Sequence, residues 1–432
     1  MNGHGLIPFQ QETFMKHFFL LLCLFCQLAH AEPRYHLVRI VATGSNRYSS
    51  EDVARASGLT VNTQVTMDDL QNAASRLGTC GVFSTVQFLY KPVAGTRDGV
   101  EANFQVKDAE KFLPAAFENI IWLSDQDLQQ QLHQSLPLYA GLVPLSGTMA
   151  DDISAALTKL LTAKGLPSQV SYMVYADFGR PPSAYKFKVE NAGLNVAEVR
   201  VSGAARMAPD LITKSLSRVP GTEYLRSEMM RMVQLSLEPI YRDHGFLKFK
   251  IVEIKSQLKP GGGVMLEAVV EEGTQYRLAG FSWSGNTLIP SDELSKHITL
   301  KVGDPVDDSK LTHDLSETRK LFLKFGHERA LIFPQPNFTA DSDTVSYVFT
   351  VKEGELYHMG RLEIESRDAD LARKLTESWK LAAGAPYDNT YLKQFLVQAL
   401  PLAHGHQKDW VIFEQVDDAQ KSVNVRLQLK SD

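Results

Sequence analysis

Phe281-Ser282-Trp283-Ser284-Gly285-Asn286, followed later by Phe325-Gly326 and closed by Val345-Ser346-Tyr347-Val348-Phe349-Thr350-Val351-Lys352-Glu353-Gly354, is one full copy of a pattern that runs through this chain. The opening segment alternates apolar and polar residues, which predicts a strand with one buried face, and Gly285 ends it at a turn. Pro290-Ser291-Asp292-Glu293 then opens a short helix. After a bend at Gly303, Leu311, Leu315, Thr318, Leu321 and Phe322 form the apolar stripe of a longer helix that closes at Gly326. Val345, Tyr347, Phe349 and Val351 alternate cleanly, so the last segment is a half-buried strand. The unit reads strand, helix, helix, strand, strand.

Outward from this copy, a glycine closing the second helix recurs at Gly81, Gly165, Gly245, Gly326 and Gly405, a period of about 80 residues. Opening strands recur too, as in Val199-Arg200-Val201-Ser202, and so do the turns Gly44-Ser45-Asn46 and Gly203-Ala204-Ala205. Helix starts appear at Ser50-Glu51-Asp52, Ser124-Asp125-Gln126-Asp127 and Pro209-Asp210. A middle strand is predicted over Phe246-Leu247-Lys248-Phe249-Lys250-Ile251, and Val423, Val425, Leu427 and Leu429 mark the last strand of the chain. Five modules are expected, at 32–108, 109–195, 196–274, 275–355 and 356–432, behind a leader at 1–31. The predicted fold class is α+β: a three-stranded mixed sheet with two helices on its single apolar face. Its last two strands form a hairpin, and the first joins them in parallel after the two-helix crossover. A module this small buries only about 60% of its unfolded surface, so flanking copies are expected to supplement its stability. Pro239 and Pro401 interrupt second helices and are expected to kink or shorten them.

The leader has Lys16-His17, an apolar run from Phe18 to Leu28, and small residues at Ala29-His30-Ala31. That is the layout of a signal peptide, with Met15 a plausible start and Glu32 the mature N-terminus; retention as an anchor is the alternative. Cys23 and Cys26 would leave with it, so Cys80 is the sole mature cysteine and no intrachain disulfide is available. Cys80 follows a helix end and reads as a structural thiol. With 22% charged residues and a net charge of -5, no basic field suggests nucleic acid.

This order of elements resembles the POTRA (polypeptide-transport-associated) domain. The fourth copy carries the resemblance through the residues quoted above and through Leu300-Lys301-Val302-Gly303. The first carries it through Val38-Arg39-Ile40, Gly44-Ser45-Asn46, Gly58-Leu59 and Phe104-Gln105-Val106-Lys107-Asp108, and the third ends in pattern at Val269-Val270-Glu271-Glu272-Gly273. In copies two and five Trp122-Leu123-Ser124-Asp125 and Glu365-Ser366-Arg367 replace the glycine turn. The resemblance implies an exported bacterial protein related to the outer-membrane protein assembly factors (BamA-like), periplasmic, with possible peripheral association with the outer membrane. A sixteen-strand barrel pattern does not follow before Asp432, so a barrel-less arm is expected. Implied partners are unfolded outer-membrane proteins, or a separately encoded β-barrel or assembly-complex subunit. The resemblance also puts the middle strand at a sheet edge, where an extended peptide can add as a further strand. The candidate binding residues are Leu247, Phe249 and Ile251 in copy three, then Val86 and Phe88 in copy one. Lys248 and Lys250 read equally well as charges that discourage edge aggregation. A scaffold that spaces envelope components without touching unfolded chains is the rival reading.

Catalytic patterns fail on geometry. Gly280 to Gly285 resembles a nucleophile elbow with its second glycine displaced, and Gly261-Gly262-Gly263 joins two strands and opens no helix. His404-Gly405-His406 lacks a third ligand nearby, and Asp68-Asp69, Asp151-Asp152 and Asp307-Asp308 sit at helix starts, where they complement the dipole. Asn337-Phe338-Thr339 matches a glycosylation acceptor, which means little in a bacterium. No enzymatic activity, cofactor or metal is expected.

Overall fold

One sheet topology repeats five times. The computed structural model describes residues 33–366, 368–399 and 410–429. The leader, Arg367, Pro401 and the His404-Gly405-His406 segment lie outside the described residues. The chain divides between Ala192 and Gly193 into two compact units.

The first unit holds two modules. Module one comprises β1 (Tyr35–Thr43), α1 (Ser50–Ser57), β2 (Gln64–Val65), α2 (Met67–Thr79), β3 (Phe83–Pro92) and β4 (Gly99–Asp108). Module two comprises β5 (Phe112–Phe117), α3 (Asp125–Ser135), β6 (Leu142–Pro144), α4 (Met149–Ala163), β7 (Val170–Tyr175) and β8 (Ala184–Val189). Their sheets run β2-β1-β4-β3 and β6-β5-β8-β7.

Three modules make the second unit. Module three has β9 (Val196–Ser202), α5 (Pro209–Ser215), α6 (Arg226–Arg242), β10 (Lys250–Leu258) and β11 (Val264–Glu271). Module four has β12 (Arg277–Ser284), α7 (Ser291–Ser295), α8 (Asp308–Lys324), β13 (Leu331–Phe338) and β14 (Thr344–Lys352). Module five has β15 (His358–Glu365), α9 (Ala369–Ser378), α10 (Asn389–Ala399), β16 (Trp410–Asp417) and β17 (Ser422–Leu429). In all five modules the last strand is central, parallel to the first and antiparallel to the middle one. The α+β class with a mixed sheet is as the sequence led us to expect.

Central strands carry the cores because their alternation matches the pleat. Val264, Leu266, Ala268 and Val270 on β11, and Val345, Tyr347, Phe349 and Val351 on β14, are buried, each large aliphatic or aromatic side chain contributing roughly 1.5–3 kcal/mol. Helix α6 lays Met229, Val233, Leu237 and Tyr241 over its sheet. Pro239 does not stop that helix, which runs on to Arg242. The carbonyl that Pro239 leaves without an N–H partner belongs to Leu235, an exposed residue, so water can satisfy it. Side-chain caps fix the starts: Ser49 accepts from the Asp52 N–H, Thr66 and Asp69 form a capping box, and Ser124 accepts from the Asp127 N–H.

A carboxylate ending the central strand ties down the turn after the first strand. Asp108 accepts from Ser45 Oγ and the Asn46 N–H. Glu272 accepts from the N–H groups of Ala205, Arg206 and Met207, and Glu353 from Thr287 and Leu288. Glycine is required in these turns: a Cβ on Gly203, whose φ is +88°, would lie 2.2 Å from the Val270 carbonyl oxygen. In module two, where the turn lacks glycine, Asn119 replaces the acid by exchanging two hydrogen bonds with the Val189 backbone.

Candidate functional site

Each sheet has one edge that is paired only near its start and one edge that is not paired among the described residues. The first-strand edge is paired only near its start, by β2 at Tyr35–His36 and β6 at Phe112–Pro114 in the first unit, and by the single bridges Asn195–Glu223, Arg277–Pro305 and His358–Pro386 in the second. The opposite edge is β3, β7, β10, β13 or β16, and among the described residues no strand pairs with its outer side. A row of unpaired N–H and C=O groups is a template for strand addition.

The predicted residues divide between this edge and another role. Val86 and Phe88 lie on β3, paired with Val106 and Phe104 and half-buried against the core, so the edge offers their backbone, not their side chains. Ile251 lies on β10 opposite Val270, beside a bulge at Val252. Leu247 and Phe249 are not on that edge, because β10 begins only at Lys250. Leu247 packs against the core of module four, and Phe249 stacks on Tyr241 with ring centroids 4.0 Å apart. The module-four core and Tyr241 offer these two side chains apolar partners that a solvent-facing strand end would forgo.

The two lysines also divide. The Lys248 ammonium sits 4.2 Å from the Phe338 ring centroid and 5.2 Å from that of Tyr276, both in module four. Lys250 pairs with Glu271 on the solvent face of the sheet. Open edges missed in the sequence are β7, β13 and β16, where Met173 and Val174, Leu331 and Phe333, and Ile412, Phe413 and Val416, are exposed apolar residues. Their β-branched and aromatic content was the available signal.

Joints between modules form a second constellation that sequence reading missed. The Tyr276 N–H donates to the Gly245 carbonyl at 2.8 Å, and the Tyr357 N–H donates to the Gly326 carbonyl at 2.8 Å. The repeated helix-closing glycine is therefore also a docking point: a Cβ there would lie 2.7 Å from the Tyr276 oxygen, or 2.5 Å from that of Tyr357. Around the first of these joints, the Arg242 guanidinium donates two bonds to the Asp308 carboxylate at 2.9 and 3.1 Å. Ser309 donates its N–H and hydroxyl to Asp243.

At the second joint, Glu328 receives a hydrogen bond from Asn389 and lies near Glu414, itself bonded by the Tyr387 hydroxyl. Burial, then the Glu414 charge, raises the Glu328 carboxyl to about 7. Within the first unit, modules one and two meet at the Thr148 N–H to Thr79 carbonyl bond, with Arg47 over the Phe112 ring.

Among the described residues, no group of three or more His, Cys, Asp or Glu is placed to hold a metal ion. Cys80 is buried and donates to the Leu77 carbonyl, and burial raises its thiol, the opposite of activation. No described helix is long and apolar enough to cross a membrane.

Residues 276–354 match the POTRA family model, described as surface antigen variable number repeat. Residues 276–354 are thus similar to a POTRA domain. That match covers module four, and the remaining modules share its strand pairing. Over 160 residues the chain is 26% identical to the outer membrane protein assembly factor BamA of Neisseria meningitidis serogroup B, a stretch covering 36% of this chain and 20% of that relative. Among solved structures, POTRA3-5 of Haemophilus influenzae BamA aligns with a TM-score of 0.42 and 18% identity, over 55% of this chain and 96% of that one. POTRA1-3 of the Omp85 periplasmic domain from Anabaena aligns with a TM-score of 0.20 and 13% identity, over 74% of this chain and 96% of that one.

Proposed function

We propose that this chain is a non-catalytic periplasmic binding protein for outer-membrane protein assembly or translocation, which receives extended peptides by β-strand addition. The observation that carries this reading is that, among the described residues, the outer side of the middle strand is unpaired in each of the five modules. The POTRA match and the similarity to an outer membrane protein assembly factor support it. Each added backbone hydrogen bond is worth roughly 0.5–1.5 kcal/mol net, so four to six give a few kcal/mol before ordering costs. Single contacts are weak and reversible, which suits transient handling of unfolded barrel precursors, and several edges on one chain raise avidity. The partners on this reading are unfolded outer-membrane proteins or a separately encoded barrel or assembly-complex subunit, met in the periplasm after export.

Photo-crosslinking residues placed at Thr85 and Gln87 on β3, and at Glu253 and Lys255 on β10, test it with peptides of alternating barrel-strand sequence. Labelling at these exposed positions that is competed by unlabelled peptide is the expected outcome. No labelling at millimolar peptide would leave the scaffold reading, which the dedication of Leu247, Lys248 and Phe249 to packing between and within modules favours.

A further inference from the structure

The five open edges are not equivalent, because β13 alone carries two prolines, Pro334 and Pro336, inside its paired stretch. In an antiparallel pair, residues that exchange hydrogen bonds with the neighbour alternate with residues whose N–H and C=O point away from it. Pairing of β13 with β14 runs unbroken from Leu331–Lys352 to Phe338–Val345. Proline has no N–H to give, so Pro334 and Pro336 occupy outward-pointing positions. The same alternation makes Ile332 and Phe338 the other two. The two central donors of the outer edge are therefore missing, and the remaining two are separated by about 20 Å of strand.

A guest strand laid on β13 would leave the carbonyls opposite both prolines unpaired. Each costs about 1–3 kcal/mol when desolvated, more than the 0.5–1.5 kcal/mol or so that a bond made elsewhere returns. At the far end, the Phe338 side chain is engaged by Tyr276 and by the Lys248 ammonium, so it is not free to pack on a guest. By contrast β7, β10 and β16 contain no proline, and β3 has one only at its last residue, Pro92.

Resting on the strand-addition reading above, we propose that module four is a closed spacer in the second unit. Extended polypeptide guests are received on β10 and β16, in the modules before and after it, and are refused by β13. The prolines act by removing main-chain donors, so restoring those donors opens the edge.

Photo-crosslinking residues at Lys255 on β10, Gln335 on β13 and Gln415 on β16 of the full chain, with an alternating barrel-strand peptide, test this. Labelling at Lys255 and Gln415 is expected to exceed that at Gln335 by at least about tenfold, the factor that 1.4 kcal/mol commands. The variant P334V/P336V is expected to bring Gln335 up to the level of the other two, and P336V alone, which restores one donor, to an intermediate level. Equal labelling of all three sites in the native chain overturns the proposal, as does a folded double variant in which Gln335 stays silent. Silence at Lys255 and Gln415 combined with labelling of Gln335 in the double variant would sink strand addition at the native edges, and with it the reception assigned to β10 and β16, and leave only the proline block of β13 standing. Thermal unfolding of each variant shows that it is folded; if the double variant is not, P336V alone decides, a silent Gln335 counting against the proposal.

Discussion

Glu272 shows how much of this fold hangs on single residues. It accepts from three successive backbone N–H groups and from the Tyr241 hydroxyl, all at or near the buried interior. Glu272→Ala is expected to lose about 2–4 kcal/mol, because buried donors are left unmatched, and a denaturant titration of the full chain checks it. The acid ending the central strand was visible in the sequence as Glu272, Glu353 and Asp108, but its role was not, because the groups it binds lie some 65 residues earlier. Glu328 behaves oppositely, being a carboxyl held partly neutral by burial and by Glu414 on β16, with Asp388 adding negative charge and Arg319 and Asn389 opposing. Its folded value, about 7, lies above the ordinary 4.5, so the native state holds the proton more tightly. That contribution is complete below about pH 4.5 and is lost as pH rises through 7. Glu328→Gln is expected to abolish this slope and to stabilise the chain above pH 7 by about 1 kcal/mol, allowing for solvent screening of a half-buried group. Melting temperatures of both forms at pH 5 and pH 8 measure it.

Among elements, middle strands were the least legible. Leu247 to Ile251 alternates apolar and charged residues, so the stretch from Phe246 reads as a strand, yet β10 starts only at Lys250. Local pattern could not reveal that Tyr241, one helix away, and the next module's core would claim Phe249 and Leu247. Leu247→Ala is accordingly expected to destabilise the chain by about 1–2 kcal/mol without altering peptide labelling at Lys255. A fall in labelling equal to that of an edge substitution would return Leu247 to the binding site. Helix α6 gives the converse lesson: Pro239 reads as a kink or an early stop, but its position on the exposed face lets the helix run on to Arg242.

For the whole molecule, the repeat determines what each module is, and the joints determine what the modules do together. Arg242 and Asp308 join α6 of module three to α8 of module four at partly exposed positions. A double-mutant cycle on Arg242→Ala and Asp308→Ala is expected to return a coupling of about 1 kcal/mol that shrinks as salt is raised. A coupling of zero at low salt would make that joint a contact of shape alone. From the sequence alone came the module order, the mixed sheet with helices on one face, the central alternating strand and the turn glycines, because each is written in a period of two, a period of 3.6 or a backbone angle that few residues accept. Tertiary structure alone decided which aromatic residues serve the joints, which glycines meet the next module, and which outer edge lacks donors. These depend on partners far along the chain, and on which way an N–H points once a neighbouring strand has taken the other side.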